Sequence, residues 1–152
     1  MSQINFYAGA TGDDPELDTL LVRLHTESAC RTGGALALRP RDLNQDQCLI
    51  RLREKDTTTR WQPVSRTLMT ALLDHAQDRG AIDNPDGLLL RYRNSNPITE
   101  RRYNHLWDRL GRHLPWITTL NVSAHWIRHT TLTWVGTQFQ LRRGPCLCRP
   151  LR

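Results

Sequence analysis

The side chains best suited to chemistry lie in Ser123-Ala124-His125-Trp126-Ile127-Arg128-His129-Thr130-Thr131. Apolar residues at Trp126, Ile127, Leu132, Trp134 and Val135, with Ser123 able to accept a bond from an early backbone N–H, predict a helix from Ser123 to Val135. His125 and Arg128 are three apart and project from one face of it. An imidazole and a guanidinium at a helix N-terminus suit an anion, because amide dipoles, a bidentate fork and a titratable donor converge there. The chemistry implied is phosphate binding beside a proton-transfer group. The plainer alternative is a capped amphipathic helix with two polar surface residues.

Other elements must bring further groups to that helix. Asp14 can cap a helix opening at Pro15, whose Leu17, Leu20, Leu21 and Leu24 keep helical spacing and face the core. Gly33-Gly34 interrupts the pattern, which leaves Arg31 at a turn and aimed by a rigid helix. Cys48, Ile50 and Leu52 alternate with Leu49, Arg51 and Arg53 as a half-buried strand, and Arg60 to Val64 is its expected partner, with Lys55 and Asp56 at the bend. Leu38 to Leu43 is a candidate third strand. Ser65 caps the next helix, whose stripe is Leu68, Met69, Leu72, Leu73 and Ala76 and whose end is Gly80. Leu88-Leu89-Leu90 is a short buried run. A helix from Pro97 to about Leu114 buries Tyr103, Leu106, Trp107 and Leu110, and Pro115 closes it. The fold class expected is α+β, mainly helical, with a small three-stranded antiparallel sheet packed with helices.

The chain has 152 residues, enough for one domain with a real core, and a formal net charge of +6. Lys55 is the only lysine; every other basic residue in the count of 21 is arginine. A basic, arginine-dominated balance favours a polyanionic partner and fits phosphate recognition, though a GC-rich genome produces the same bias. No apolar run is long enough to span a membrane, and 1–14 lacks a signal-peptide layout, so a cytoplasmic protein is expected. Cys30, Cys48, Cys146 and Cys148 are then reduced thiols, and Cys146-x-Cys148 has no second pair with which to hold zinc.

Three motifs in order resemble the tyrosine recombinase (phage integrase) family, over roughly Pro15 to Val135. Thr26 to Leu43, containing Arg31, is similar to its first arginine box. Ile50 to Lys55 with Thr57 to Val64 resembles the hairpin that carries its lysine. Ser123 to Thr131 resembles its second box, His-x-x-Arg-His-Thr. The resemblance implies that family's catalytic-domain fold and site-specific DNA strand exchange, with a tyrosine attacking the scissile phosphate. It assigns Arg31 and Arg128 to phosphate binding and transition-state stabilisation, Lys55 to protonating the departing 5′ oxygen, and His125 to acid/base work. Arg31, Lys55, His125 and Arg128 are thus both the catalytic and the DNA-binding candidates. His129 is assigned to packing or to support of that set. The implied partners are double-stranded DNA and other recombinase protomers, with no membrane, small-molecule substrate, cofactor or metal.

The sequence departs from the family pattern in places. The family often carries an acidic residue three positions after the first arginine, where this chain has Gly34, which puts the orientation of Arg31 in question. Its tyrosines are Tyr7, Tyr92 and Tyr103, all before His125, and none matches the family's nucleophile. From Gly136 to Arg152 helical periodicity is absent, and the span carries two prolines, two cysteines and four arginines. Back-translated and shifted by one base, the stretch from Phe139 permits Phe-x-Tyr-Ala-Val-Ala-Arg-Ala-Tyr-Ala-Gly-His, so a frameshift near Val135 is the expectation. The domains expected are a flexible 1–14, a catalytic core 15–135 and an irregular basic tail 136–152. The functional expectation is a recombinase catalytic-domain fragment that binds DNA phosphates but does not cleave alone. The alternative is a non-catalytic DNA-binding or regulatory protein that acts with full-length recombinases.

Overall fold

The computed structural model describes residues 2–142, with side chains through Thr133. Helix α1 (Ser2–Ala10) leads into α2 (Pro15–Ser28), a short α3 (Thr32–Leu36), and a three-stranded sheet of β1 (Leu43–Asn44), β2 (Leu49–Arg53) and β3 (Thr59–Pro63). Helices α4 (Arg66–Asp78), α5 (Glu100–His113), α6 (Pro115–Thr119) and α7 (Ala124–Arg142) follow. The sheet is antiparallel in the order β1-β2-β3, with Leu52 opposite Arg60 and Arg53 opposite Thr59. This is the mainly helical α+β arrangement that the periodicities predict.

Helix α2 is the central element; α1, α4 and α7 all pack on it. Asp14 accepts from the Leu17 backbone N–H, and Pro15 stands at the first helical position. Leu17, Leu20, Leu21 and Leu24 are all buried, as their spacing requires. On the sheet, Ile50 and Leu52 face the core, and Leu89 is drawn in by donating its N–H to the Leu38 carbonyl at 2.8 Å. Ser65 caps α4 through the Leu68 N–H at 3.1 Å.

Some expectations need correction. Residues 2–14 are not a loose end. Ile4, Tyr7 and Ala8 share one face of α1, Ile4 and Ala8 are fully buried, and Tyr7 stacks on His113 at 5.1 Å. The glycines at 33 and 34 lie inside α3 rather than ending a helix. At Gly34 an added Cβ would stand 3.2 Å from the Arg53 carbonyl oxygen, so the missing side chain lets α3 close on the hairpin. The candidate third strand is reduced to Leu43–Asn44, because Pro40–Asp42 forms a 3-10 turn instead. Pro97 bridges to Arg91, and α5 starts only at Glu100. Pro115 opens α6 as well as ending α5. Helix α7 runs on to Arg142, past the Gly136 at which an irregular tail was expected; its backbone bonds continue wherever no proline intervenes. Residues 143–152, with Cys146 and Cys148, lie outside the described residues.

Buried carboxylates organise the interior, each held by arginine. Asp18 in α2 is fully buried and receives Arg102 at 2.8 Å and also Arg109, both from α5. Asp14 is bound by Arg79, and Asp42 by Arg51 at 2.9 Å and Arg53 at 2.6 Å. Much of the arginine excess is therefore internal scaffolding. Removing the Asp18 carboxylate leaves the buried Arg102 with only the exposed Asp13 at 3.1 Å and deprives Arg109 of its ion pair, a costly state. Asp18→Ala is expected to destabilise the fold by about 3–5 kcal/mol, measured as a drop in the urea midpoint; an unchanged midpoint would contradict this account of the α2–α5 junction.

Candidate phosphate-binding site

The site is built on the end of α2. Ala29 terminates that helix in the left-handed region (φ 51°), donating its N–H to the His25 carbonyl at 3.0 Å. The chain then turns so that Arg31 becomes the N-cap of α3. A helix C-terminus leaves carbonyls without intrahelical partners, and its dipole favours cations there. Three consecutive carbonyls at this end are satisfied by side chains, two of them from distant parts of the chain. Ser28 accepts from Arg60 of β3 at 3.1 Å, and Ala29 accepts from Arg128 of α7 at 2.5 Å. Cys30 accepts from the ring Nδ1 of His25 at 3.0 Å.

A carbonyl only accepts, so His25 carries its proton on Nδ1 and its Nε2 accepts from the Tyr103 hydroxyl at 2.8 Å. Burial pushes the His25 pKa down to about 4 and the Cys30 thiol up to about 11. Both groups are neutral in the fold, and Cys30 is inert packing rather than a nucleophile.

Helix α7 docks on this end. Ser123 accepts from the Trp126 N–H at 3.3 Å, Ile127 is fully buried, and the Thr131 hydroxyl donates to the Thr26 carbonyl at 3.2 Å. These anchors fix the rotation of α7, and with it His125 and Arg128. The hairpin docks from the other side. Glu54 at its base accepts from Arg60 Nε at 2.6 Å and from Arg31 at 3.4 Å, and closes the bend by donating its N–H to the Thr58 carbonyl at 2.7 Å. The Arg60 hydrogen bond, with the nearby charges of Arg128 and Arg31, holds the Glu54 carboxyl below the usual range.

Arg31 and Arg128 therefore converge on one carboxylate despite coming from opposite ends of the chain. Arg31 keeps half of its side chain exposed (52%) and available to an external anion. Lys55 directly follows Glu54 in an exposed 3-10 turn; among the described residues it makes no ion pair or side-chain hydrogen bond. His125 is exposed on the first turn of α7 and lines a small cleft with Thr32, the residue after Arg31. Its Nε2 lies 2.8 Å from that of His129, one turn on, with the rings edge to face. His129 is thus an exposed hydrogen-bond partner of His125 rather than a packing residue. Among the described residues, no hydrogen bond or ion pair joins Lys55 or His125 to Arg31 or Arg128.

Glu54 and Arg60 were missed as site residues by the sequence reading. The signal for Arg60 was its cross-strand place beside the bend; for Glu54 it was only adjacency to Lys55. Tyrosine placement is equally definite. Tyr103 lines the His125 cleft, but its hydroxyl is buried and committed to His25. Tyr7 stacks on His113, and Tyr92 lies under Arg102 at 6.0 Å. Among the described residues, no group of three His, Cys, Asp or Glu side chains could hold a metal, and no helix is long and apolar enough to cross a membrane.

Stability should follow pH through the buried histidines. His75, buried and beside Arg79, is likewise depressed to about 4. On unfolding, both return to the ordinary range near 6.5, so the unfolded chain takes up protons that the native chain refuses. Their effect is absent above pH 6.5 and grows as pH falls toward 4, each costing on the order of 3 kcal/mol at the low end. Urea midpoints are expected to fall between pH 7 and pH 5; a flat profile would refute the neutral burial of these rings.

Comparison with known proteins places this geometry. The phage integrase family matches residues 3–137. The fold resembles the XerA recombinase (TM-score 0.66, 19% identity, 95% of this chain and 49% of that one). It also resembles the XerH site-specific recombinase bound to difH substrate before cleavage (0.69, 16%, 94% and 42%). A third similar structure is the Tn1549 transposon integrase in complex with circular intermediate DNA (0.66, 17%, 90% and 50%). The chain spans half or less of the length of each. No curated protein matches the sequence. With a family match over most of its length, and a recombinase catalytic-domain fold, the chain belongs to the phage integrase family.

Proposed function

We propose that this chain binds duplex DNA through its phosphates at the Arg31–Arg128 pair, as part of site-specific recombination or integration. The observation that carries the reading is the convergence of those two arginines on the base of the hairpin that presents Lys55. Guanidiniums fixed by backbone carbonyls and a carboxylate are preorganised donors for a phosphodiester whose non-bridging oxygens gain charge. Lys55, with its ammonium free at the hairpin bend, is proposed as the proton donor to a departing 5′ oxygen. His125, hydrogen-bonded to His129, is proposed as the acid/base group beside the phosphate. The printed descriptions of XerH and the Tn1549 integrase as DNA complexes support the choice of partner.

Strand cleavage needs a nucleophile as well. Tyr103 spends its hydroxyl on His25, Tyr7 stacks on His113 and Tyr92 packs under Arg102, so none of the three tyrosines is presented beside the Arg31–Arg128 pair as a nucleophile. That favours a second reading of its role, in which the chain occupies DNA or works beside tyrosine-bearing recombinase protomers without cutting.

Two measurements test the proposal. Arg31→Ala with Arg128→Ala is expected to weaken duplex binding and to make the slope of log K against log salt shallower by about 2, read by fluorescence anisotropy; parental affinity and slope in the double variant would overturn the assignment. A nicked duplex substrate that traps phosphotyrosyl intermediates is expected to give no covalent adduct with this chain alone on a denaturing gel. An adduct would show that one of the three tyrosines reaches the phosphate after all.

A further inference from the structure

Gly34 leaves the first arginine motif without a local carboxylate, and the fold leaves little room for a side chain there. The Cβ direction at Gly34 runs into the Arg53 carbonyl at 3.2 Å, where α3 closes on β2. The next residue along that strand is Glu54. Its carboxylate lies 3.4 Å from Arg31 and 2.6 Å from Arg60, and its side chain is only 17% exposed. Arg60 is in turn held by the Ser28 carbonyl and by Gln62. Glu54 thus has a rigid backing on one side and Arg31 on the other.

We propose that Glu54 is the positioning residue for Arg31, supplying from the hairpin the orienting carboxylate that Gly34 lacks. This inference rests on the phosphate-binding reading of Arg31. Glu54 engages one terminal nitrogen of the guanidinium and limits its sweep, while the exposed remainder faces outward for an anion. The same contact ties Arg31 to the hairpin whose bend carries Lys55, one residue past Glu54.

A lone acid near a DNA phosphate would repel it, and this separates positioning from simple charge. Glu54→Gln removes a negative charge, so electrostatics alone predicts tighter binding. Positioning predicts weaker binding, by about threefold for a partly exposed pair. Anisotropy titrations with a labelled duplex would compare the parent chain with Glu54→Gln, Glu54→Asp, Arg31→Ala, and Arg31→Ala combined with Glu54→Gln. Glu54→Asp keeps the charge but shortens the reach, and is expected to weaken binding to a smaller extent. The combined variant is expected to bind like Arg31→Ala, because Glu54 acts through that arginine. Losses that multiply in the combined variant, or equal or tighter binding by Glu54→Gln, would overturn the role. Far-UV circular dichroism checks the fold; if Glu54→Gln unfolds, Glu54→Asp decides, and parental affinity in it overturns the proposal. A parent chain with no duplex affinity overturns the DNA reading itself, a result distinct from any variant's behaviour.

Discussion

The structure depends on how the C-terminal end of α2 is capped. A helix ending in the interior leaves carbonyls that must find donors, and here Ser28, Ala29 and Cys30 find them in Arg60, Arg128 and His25. Those donors come from the hairpin, from α7 and from α2 itself. One local requirement, satisfying three consecutive acceptors at the negative end of a dipole, therefore joins three otherwise separate elements. Arg31 is positioned as a by-product, because it is the first residue after the capped carbonyls. A site assembled in this way is rigid where it meets backbone and open where it faces solvent.

The arginines divide into two populations with different physical tasks. Arg79, Arg102 and Arg109 neutralise buried aspartates and leave little of themselves exposed. Arg31 keeps half its side chain in water. Arg128 and Arg60 stand between, each spending part of its donor fork on a carbonyl. The planar five-donor geometry makes this sharing workable, since one edge can bind backbone while another stays free. Lysine, with a single charged nitrogen, suits neither task, and the one lysine stands exposed at the hairpin bend.

Buried neutral groups support the cations at low electrostatic cost. His25 and Tyr103 form a hydrogen-bonded pair directly beneath the Arg31 turn, and with His25 held neutral by burial no further positive charge is added there. The hydroxyl most nearly placed beside the site is thereby consumed as scaffold. The Arg31 guanidinium faces solvent while the Tyr103 hydroxyl is turned inward to His25, so cation and hydroxyl occupy opposite sides of the same turn.

The sequence by itself determined the elements and their faces. The stripe Leu17-Leu20-Leu21-Leu24, the alternation around Ile50 and Leu52, the Asp14, Ser65 and Ser123 caps and the three motifs all follow from local periodicity and capping chemistry, which short stretches encode. It also marked Arg31, Lys55, His125 and Arg128 as the side chains of interest. Tertiary structure alone decided what each of them touches. That Glu54 meets Arg31 and Arg60, that Arg128 caps Ala29, and that Ser2–Ala10 folds as α1 around a buried Ile4 depend on distances across the fold. Such contacts join residues far apart in sequence, and no local pattern specifies which donor an orphaned carbonyl or a half-exposed guanidinium will meet.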